Sequence, residues 1–293
     1  MSNYLLLSQS ISHPNHPMDY NIYLDKNDHD GIRQALDTYG YCVARQVITL
    51  DHVQRLKDEI DRFVDPDRSV ALASGKFHNT FAEQSDVLWE LVDNPEYMNL
   101  RTALLGVTDV CLHRSAAILR TPGDPAGAWH SDHCGQRKGP KNNANDFLNR
   151  YSMPSGGWFY LNGSHPDRSG IAVMEYSHTE EWQPPEGFHM DDERRMLYRD
   201  GDDTPYSKLD APGMVPVIAD PGDLILFSAL TLHVNMETKE RRYSCGMAFR
   251  PKSIQIDVPW KLTEGAQKMI DRLPAHLKHY TEGYTSIDLN WKP

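Results

Sequence analysis

The strongest constraint on this chain is a change of hydrophobic period near residue 108. Before it, apolar residues recur three or four apart. Val53, Leu56, Ile60 and Phe63 fall on one face of a helix over Leu50–Phe63. Further helices are expected over Asp30–Tyr39, ended by Gly40, and around Glu83–Val92 and Glu96–Leu105, the last ended by Gly106. Between the first two helices, Tyr41–Val47 alternates like a strand. After residue 108, short strand-like runs alternate with Gly, Pro, Asp and Ser turns: Thr108–Leu119, Gly157–Leu161, Ile171–Tyr176, Gly213–Val217, Asp223–Phe227 and Tyr243–Phe249. No full-length helix separates them, which excludes βαβ units and predicts an antiparallel barrel or jelly roll.

The expected class is therefore mainly β with flanking α, in one domain spanning residues 1–293. Residues 1–28 read as a polar arm, 29–107 as a mainly helical layer, 108–251 as the jelly-roll core, and 252–293 as a C-terminal helical segment. In that last segment, a helical stretch over Glu264–Tyr280 is broken near Pro274. Gln183–Tyr206 is acidic and contains proline, and reads as an insertion or lid.

Net charge is −11, which speaks against non-specific contact with nucleic acid or an anionic membrane, and no apolar run approaches the length of a bilayer span. A cytoplasmic protein acting on a small molecule is expected; the sequence is silent on oligomeric state. Cys42, Cys111, Cys134 and Cys245 form no CxxC pair and are expected as reduced thiols.

Chemistry concentrates in Ala128-Trp129-His130-Ser131-Asp132. On an extended strand, residues i and i+2 share a face, so His130 and Asp132 can reach one metal ion while Ser131 points away. An imidazole and a carboxylate make two-thirds of a facial triad, the donor set that leaves positions open on Fe(II). Alone, His-x-Asp is commonplace. The second half of the chain adds weight: Pro221-Gly222-Asp223 turns into the apolar run Leu224–Phe227, His233 follows, and Arg242-Tyr243-Ser244 comes nine residues later. Arg242 and Ser244 share a strand face, where a guanidinium and a hydroxyl can hold a carboxylate; the neighbouring Arg241 competes for that role.

This ordered set resembles the phytanoyl-CoA dioxygenase-like family of iron/2-oxoglutarate oxygenases over roughly Thr108–Pro251. The resemblance implies a double-stranded β-helix flanked by helices, with Fe(II), the co-substrate 2-oxoglutarate and O2. It implies His130, Asp132 and His233 as metal ligands and catalytic centre, and Arg242 with Ser244 on the distal carboxylate of 2-oxoglutarate. His113 or Ser115, on the strand leading to the site, would take the other end, where the family commonly has an amide or cationic side chain. Because Asp132 keeps the carboxylate that halogenating members lack, hydroxylation is implied.

Two other readings stand beside it. A zinc hydrolase using His130, His133 and Cys134 lacks the paired cysteines usual for zinc and leaves Arg242 and Ser244 unexplained. A non-catalytic jelly-roll binding protein would be expected to lose one of the three ligands. For substrate, Gln136-Arg137-Lys138-Gly139-Pro140-Lys141-Asn142-Asn143 is the most cationic, acid-free stretch near the metal pair. With Arg120 and Trp158, it reads as a mouth that neutralises an anionic group, and an aminophosphonate such as 2-aminoethylphosphonate would suit it. Its bland alternative is a solvated loop.

Overall fold

The structure is a computed structural model that describes residues 21–132, 142–149 and 155–293. Twelve strands are present among them: β1 (Tyr23–Asp25), β2 (Tyr41–Arg45), β3 (Gly75–Asn79), β4 (Val110–Arg120), β5 (Ser155–Tyr160), β6 (Ile171–Met174), β7 (Phe188–Met190), β8 (Leu197–Arg199), β9 (Met214–Pro216), β10 (Leu224–Ser228), β11 (His233–Asn235) and β12 (Arg242–Pro251). Six helices accompany them: α1 (His29–Tyr39), α2 (Leu50–Val64), α3 (Asp86–Asp93), α4 (Pro95–Leu105), α5 (Ala144–Asn149) and α6 (Glu264–Arg272).

Local chemistry sets the helix ends. Asp28, Thr49, Ser85 and Thr263 each accept a backbone N–H from the first turn of α1, α2, α3 and α6. Asn94 closes α3 and caps α4, with Pro95 in the first turn. The predicted helix over Glu83–Val92 starts only at Asp86, because Phe81–Glu83 forms a 3₁₀ turn before the Ser85 cap. α6 stops at Arg272 because Leu273, which precedes Pro274, is forced into extended backbone. The helices turn Leu56, Ile60, Leu88, Trp89 and Leu100 into one core shared with the outer face of the large sheet. Complete burial of side chains such as Leu56 and Ile60 contributes roughly 2 kcal/mol each.

The large sheet runs β1-β2-β10-β5-β12-β4-β3, and the smaller one β11-β6-β9. All pairs are antiparallel except β1 with β2. This is a jelly roll whose sheets do not close into a barrel. Register assigns the faces. Tyr243, Cys245, Met247 and Phe249 belong to the core under the helices. Arg242, Ser244, Gly246 and Ala248 alternate with them on the inner face, opposite Arg120, Ile118, Ala116 and Arg114 of β4.

The Pro-Gly-Asp turn is a structural device. Gly222 sits at φ +97°, and a Cβ there would fall 2.5 Å from the Ile48 carbonyl oxygen. The Asp223 carboxylate accepts the backbone N–H groups of Gln46 and Asp220 at 2.8 and 3.0 Å, locking β10 to the end of β2.

Three expectations need correction. Residues 21–28 are not all arm, since Tyr23–Asp25 forms β1. β3 and α5 carry no clear period in the sequence and were not anticipated. Gln183–Tyr206 is not a lid. It contains the β7–β8 hairpin, and Arg195, Met196 and Leu197 pair directly with the segment that bears His130. Leu197 and Tyr206 are buried with Trp129 in a second core. Residues 1–20 of the predicted arm lie outside the described residues.

Candidate functional site

His130 sits at a two-residue junction rather than in a long strand. Its N–H donates to His233 O at 3.0 Å, and His233 N–H returns the bond to His130 O at 2.8 Å. On either side, Trp129 N–H donates to Tyr206 O and Ser131 N–H to Arg195 O, both at 2.8 Å. Trp129 is fully buried, and its indole N–H reaches Lys208 O at 2.9 Å. The segment is thus clamped on both edges, and the alternation that buries Trp129 and Ser131 turns His130 and Asp132 the other way.

The donors converge. One ligand atom each from His130, Asp132 and His233 lie within 4.8 Å of one another. Asp132 Oδ1 is 3.9 Å from His130 Nε2 and 3.8 Å from His233 Nε2. Each imidazole uses its other nitrogen on a carbonyl: His130 Nδ1 on Ala128 O at 2.8 Å and His233 Nδ1 on Thr231 O at 3.0 Å. As N–H donors to those carbonyls, both rings keep the Nε2 lone pair for a metal. Burial, and then the neighbouring His233, hold His130 below the usual imidazole range, which favours the neutral ligand form. The set fits a divalent ion that keeps open positions.

Arg242 is fully buried on the inner face. Its Nη1 donates to Asn235 Oδ1 at 2.8 Å, and its guanidinium carbon lies 5.1 Å from the Tyr160 ring centre. Its Nε and Nη2, with Ser244 Oγ, are buried without a hydrogen-bond partner among the described residues. Unmet buried donors are costly, and together these match a carboxylate. Desolvation pulls the Arg242 pKa down to about 10, still charged at neutral pH. Arg241 is excluded from this role. It points to the outer face and binds Asp61 and Asp65 at 2.7 Å each, with the Tyr243 hydroxyl at 2.8 Å.

A cavity of about 300 Å3 opens onto the three donors and onto Asn235 and Tyr160, the two side chains that hold Arg242; Trp158, Phe227, Ile118, Arg114 and Phe77 also line it. Trp158 is therefore at the cavity, as expected. Arg120 is not: it binds Asp124, Met236 O and Pro125 O, and is a structural tie. Ser115 also serves structure, its Oγ accepting the Ala82 N–H at 2.8 Å under the helical layer. His113 lies at the β4–β12 register shift, six residues of β12 away from Arg242, and both it and Ser115 line the cavity that the three donors line. The residues missed were Asn235, Tyr160 and Arg114. Strand parity was the available signal: Asn235 is i+2 from His233, and Arg114 shares the phase of Ala116 and Ile118. His133, Cys134, Gln136, Arg137, Lys138 and Lys141 lie outside the described residues. Cys42, Cys111 and Cys245 are free, buried thiols.

The family model for phytanoyl-CoA dioxygenase (PhyH) matches residues 36–239. The chain belongs to this family. Its members and structural neighbours are iron/2-oxoglutarate-dependent enzymes, and the His-Asp-His set is what such an enzyme requires. Solved structures share its fold. HygX from Streptomyces hygroscopicus, with nickel and 2-oxoglutarate bound, is 16% identical with a TM-score of 0.56, covering 88% of this chain and 96% of its own. The epimerase SnoN, in complex with Fe3+, alpha ketoglutarate and nogalamycin RO, is 18% identical with a TM-score of 0.53, covering 81% and 92%. EctD from S. alaskensis, in its apoform, is 20% identical with a TM-score of 0.52, covering 78% of each chain. No curated protein sequence matches the chain. Among the described residues, no helix is long and apolar enough to cross a membrane.

Proposed function

We propose that this member of the family hydroxylates an unactivated carbon of a small, polar, anionic metabolite, with His130, Asp132 and His233 as the iron ligands. The observation that carries the reading is the pairing of an open three-donor set with a buried guanidinium whose Nε and Nη2 have no partner among the described residues. Iron(II) with 2-oxoglutarate and O2 supplies the oxidising power, and succinate and CO2 are the co-substrate's products. The protein's own residues do the positioning. Arg242 and Ser244 hold the distal carboxylate of 2-oxoglutarate, and Asn235 keeps the Arg242 fork in place through its 2.8 Å contact. Tyr160 and Phe227 wall the co-substrate with aromatic surface and exclude water. His130 and His233 stay oriented through Ala128 O and Thr231 O.

The anionic character of the substrate is supported by Arg114, a cation on the cavity wall of a chain with net charge −11. An aminophosphonate such as 2-aminoethylphosphonate suits such a wall. The test is substrate-stimulated succinate formation by the Fe(II)-loaded protein, screened against small amino acids, aminophosphonates and phosphate esters. Stimulation by an anionic compound is expected. Stimulation only by neutral, apolar compounds would reject the substrate class and leave the enzyme class intact.

A further inference from the structure

The cavity continues past the metal site into a small side chamber. Asn79, His113, Arg114 and Leu148 line both spaces, and the Tyr284 and Ser286 side reaches only the chamber. His113 is 4% exposed, and neither of its ring nitrogens has a hydrogen-bond partner among the described residues. Burial, then the nearby Arg114 and Arg250 charges, push its pKa down to about 3, so the ring is neutral and offers one N–H donor and one lone pair. Arg114 is only half-buried, on the wall of the cavity, with Nη2 donating to Asn145 Oδ1 of α5 at 2.9 Å.

Register separates this corner from Arg242. Arg114 pairs with Ala248, and Arg120 pairs with Arg242, six residues along the same two strands. At the rise of an antiparallel strand, that is roughly 20 Å between the two arginine backbones. The side chains do not close the gap. Arg242 is tied to Asn235 and Tyr160, whereas Arg114 reaches α5, which packs on Ile256 and Trp260 beyond the end of β12. A 2-oxoglutarate seated on Arg242 is much too short to reach Arg114. The wall between them is small or apolar: Ala116, Gly246, Ile118 and Trp158.

Resting on the oxygenase reading above, we propose that Arg114 and His113 form the oxyanion subsite of the primary substrate, distinct from the co-substrate's carboxylate site at Arg242. Arg114 supplies a guanidinium fork that Asn145 orients, and His113 supplies a neutral N–H to a second oxygen. The ligand chemistry is an oxyanion, carboxylate or phosphonate, carried by the molecule whose C–H is oxidised.

The test titrates acetate, methylphosphonate and inorganic phosphate into the Fe(II)- and 2-oxoglutarate-loaded protein without oxygen. Heat of binding reports the probe, and the visible iron–2-oxoglutarate absorption band reports the co-substrate. Arg114→Gln should weaken the preferred probe by about tenfold or more while keeping the visible band. Arg114→Lys, which keeps the charge and loses the fork, should fall between and serves if the Gln variant does not fold. Arg242→Gln should lose the band and bind the probe like wild type. Preference for acetate assigns the subsite to carboxylates, preference for methylphosphonate or phosphate to phosphorus oxyanions; both support it. Equal probe affinity in wild type and Arg114→Gln, no probe binding to wild type, or loss of the band in Arg114→Gln would overturn it. Absence of the band in wild type would instead defeat the oxygenase reading.

Discussion

His130 and His233 are directly paired residues that exchange both backbone hydrogen bonds, at 3.0 and 2.8 Å, and their rings lie 4.3 Å apart between centres. Two ligands separated by a hundred residues of sequence are thus set side by side by the backbone itself. Their spacing depends on what clamps the junction. Trp129 does most of this from beneath, buried with Leu197, Leu232 and Val234. Trp129→Ala is expected to cost about 3–5 kcal/mol in chemical denaturation and to weaken Fe(II) binding as well. Trp129→Phe, which refills most of the volume, should cost less on both counts.

Arg241 and Arg242 are adjacent in sequence and opposite in role. Arg242→Gln is expected to raise the 2-oxoglutarate requirement at least tenfold, about 1.4 kcal/mol or more, with little change in metal affinity. Arg241→Gln should leave that requirement alone and lower stability, because it leaves Asp65, a fully buried carboxylate, without its guanidinium. Saturation curves for 2-oxoglutarate and urea melts on the same two variants separate these effects.

How much of this was legible in the chain follows from the range of each interaction. Helices α1, α2 and α4 were readable because period and termination are local, as in the Val53, Leu56 and Ile60 spacing of α2 and at Gly106 after Leu105. His130, Asp132, His233 and the Arg242/Ser244 face were readable because strand parity is local too. What could not be read was where strands pair. The His130–Met196 bridge makes an apparent insertion the backbone support of the His130 segment, and nothing near Met196 announces it. The β4 register likewise puts Arg114 on the inner face with Ile118, whereas the Ser115 hydroxyl is taken by the Ala82 N–H.

Gly222 offers a test of the turn behind β10. Gly222→Ala puts a Cβ against the Ile48 carbonyl at 2.5 Å in left-handed backbone, and should destabilise by roughly 1–3 kcal/mol. Asp223→Ala should do the same by freeing the N–H groups of Gln46 and Asp220. Thermal unfolding of both variants checks this, with the iron site expected to be retained in the folded fraction.

His113 predicts a pH effect. Its folded pKa is lowered to about 3 from an ordinary value of 6.5, so between these values the unfolded chain binds the proton and the folded chain does not. Stability from this group is therefore full above pH 6.5 and is lost as pH falls, by up to about 1.4 kcal/mol per pH unit. His113→Phe should reduce the dependence of unfolding free energy on pH by about one proton in this window. An unchanged slope would mean that the ring is already protonated in the folded protein.

The most direct measurement of the central claim is conversion of 2-oxoglutarate to succinate by the purified protein, followed with Fe(II) and O2 present or withheld. The account predicts turnover that needs both, and that is abolished in His130→Ala, Asp132→Ala and His233→Ala while each variant stays folded. Turnover that persists in those variants, or hydrolytic activity with zinc in the absence of oxygen, would contradict it.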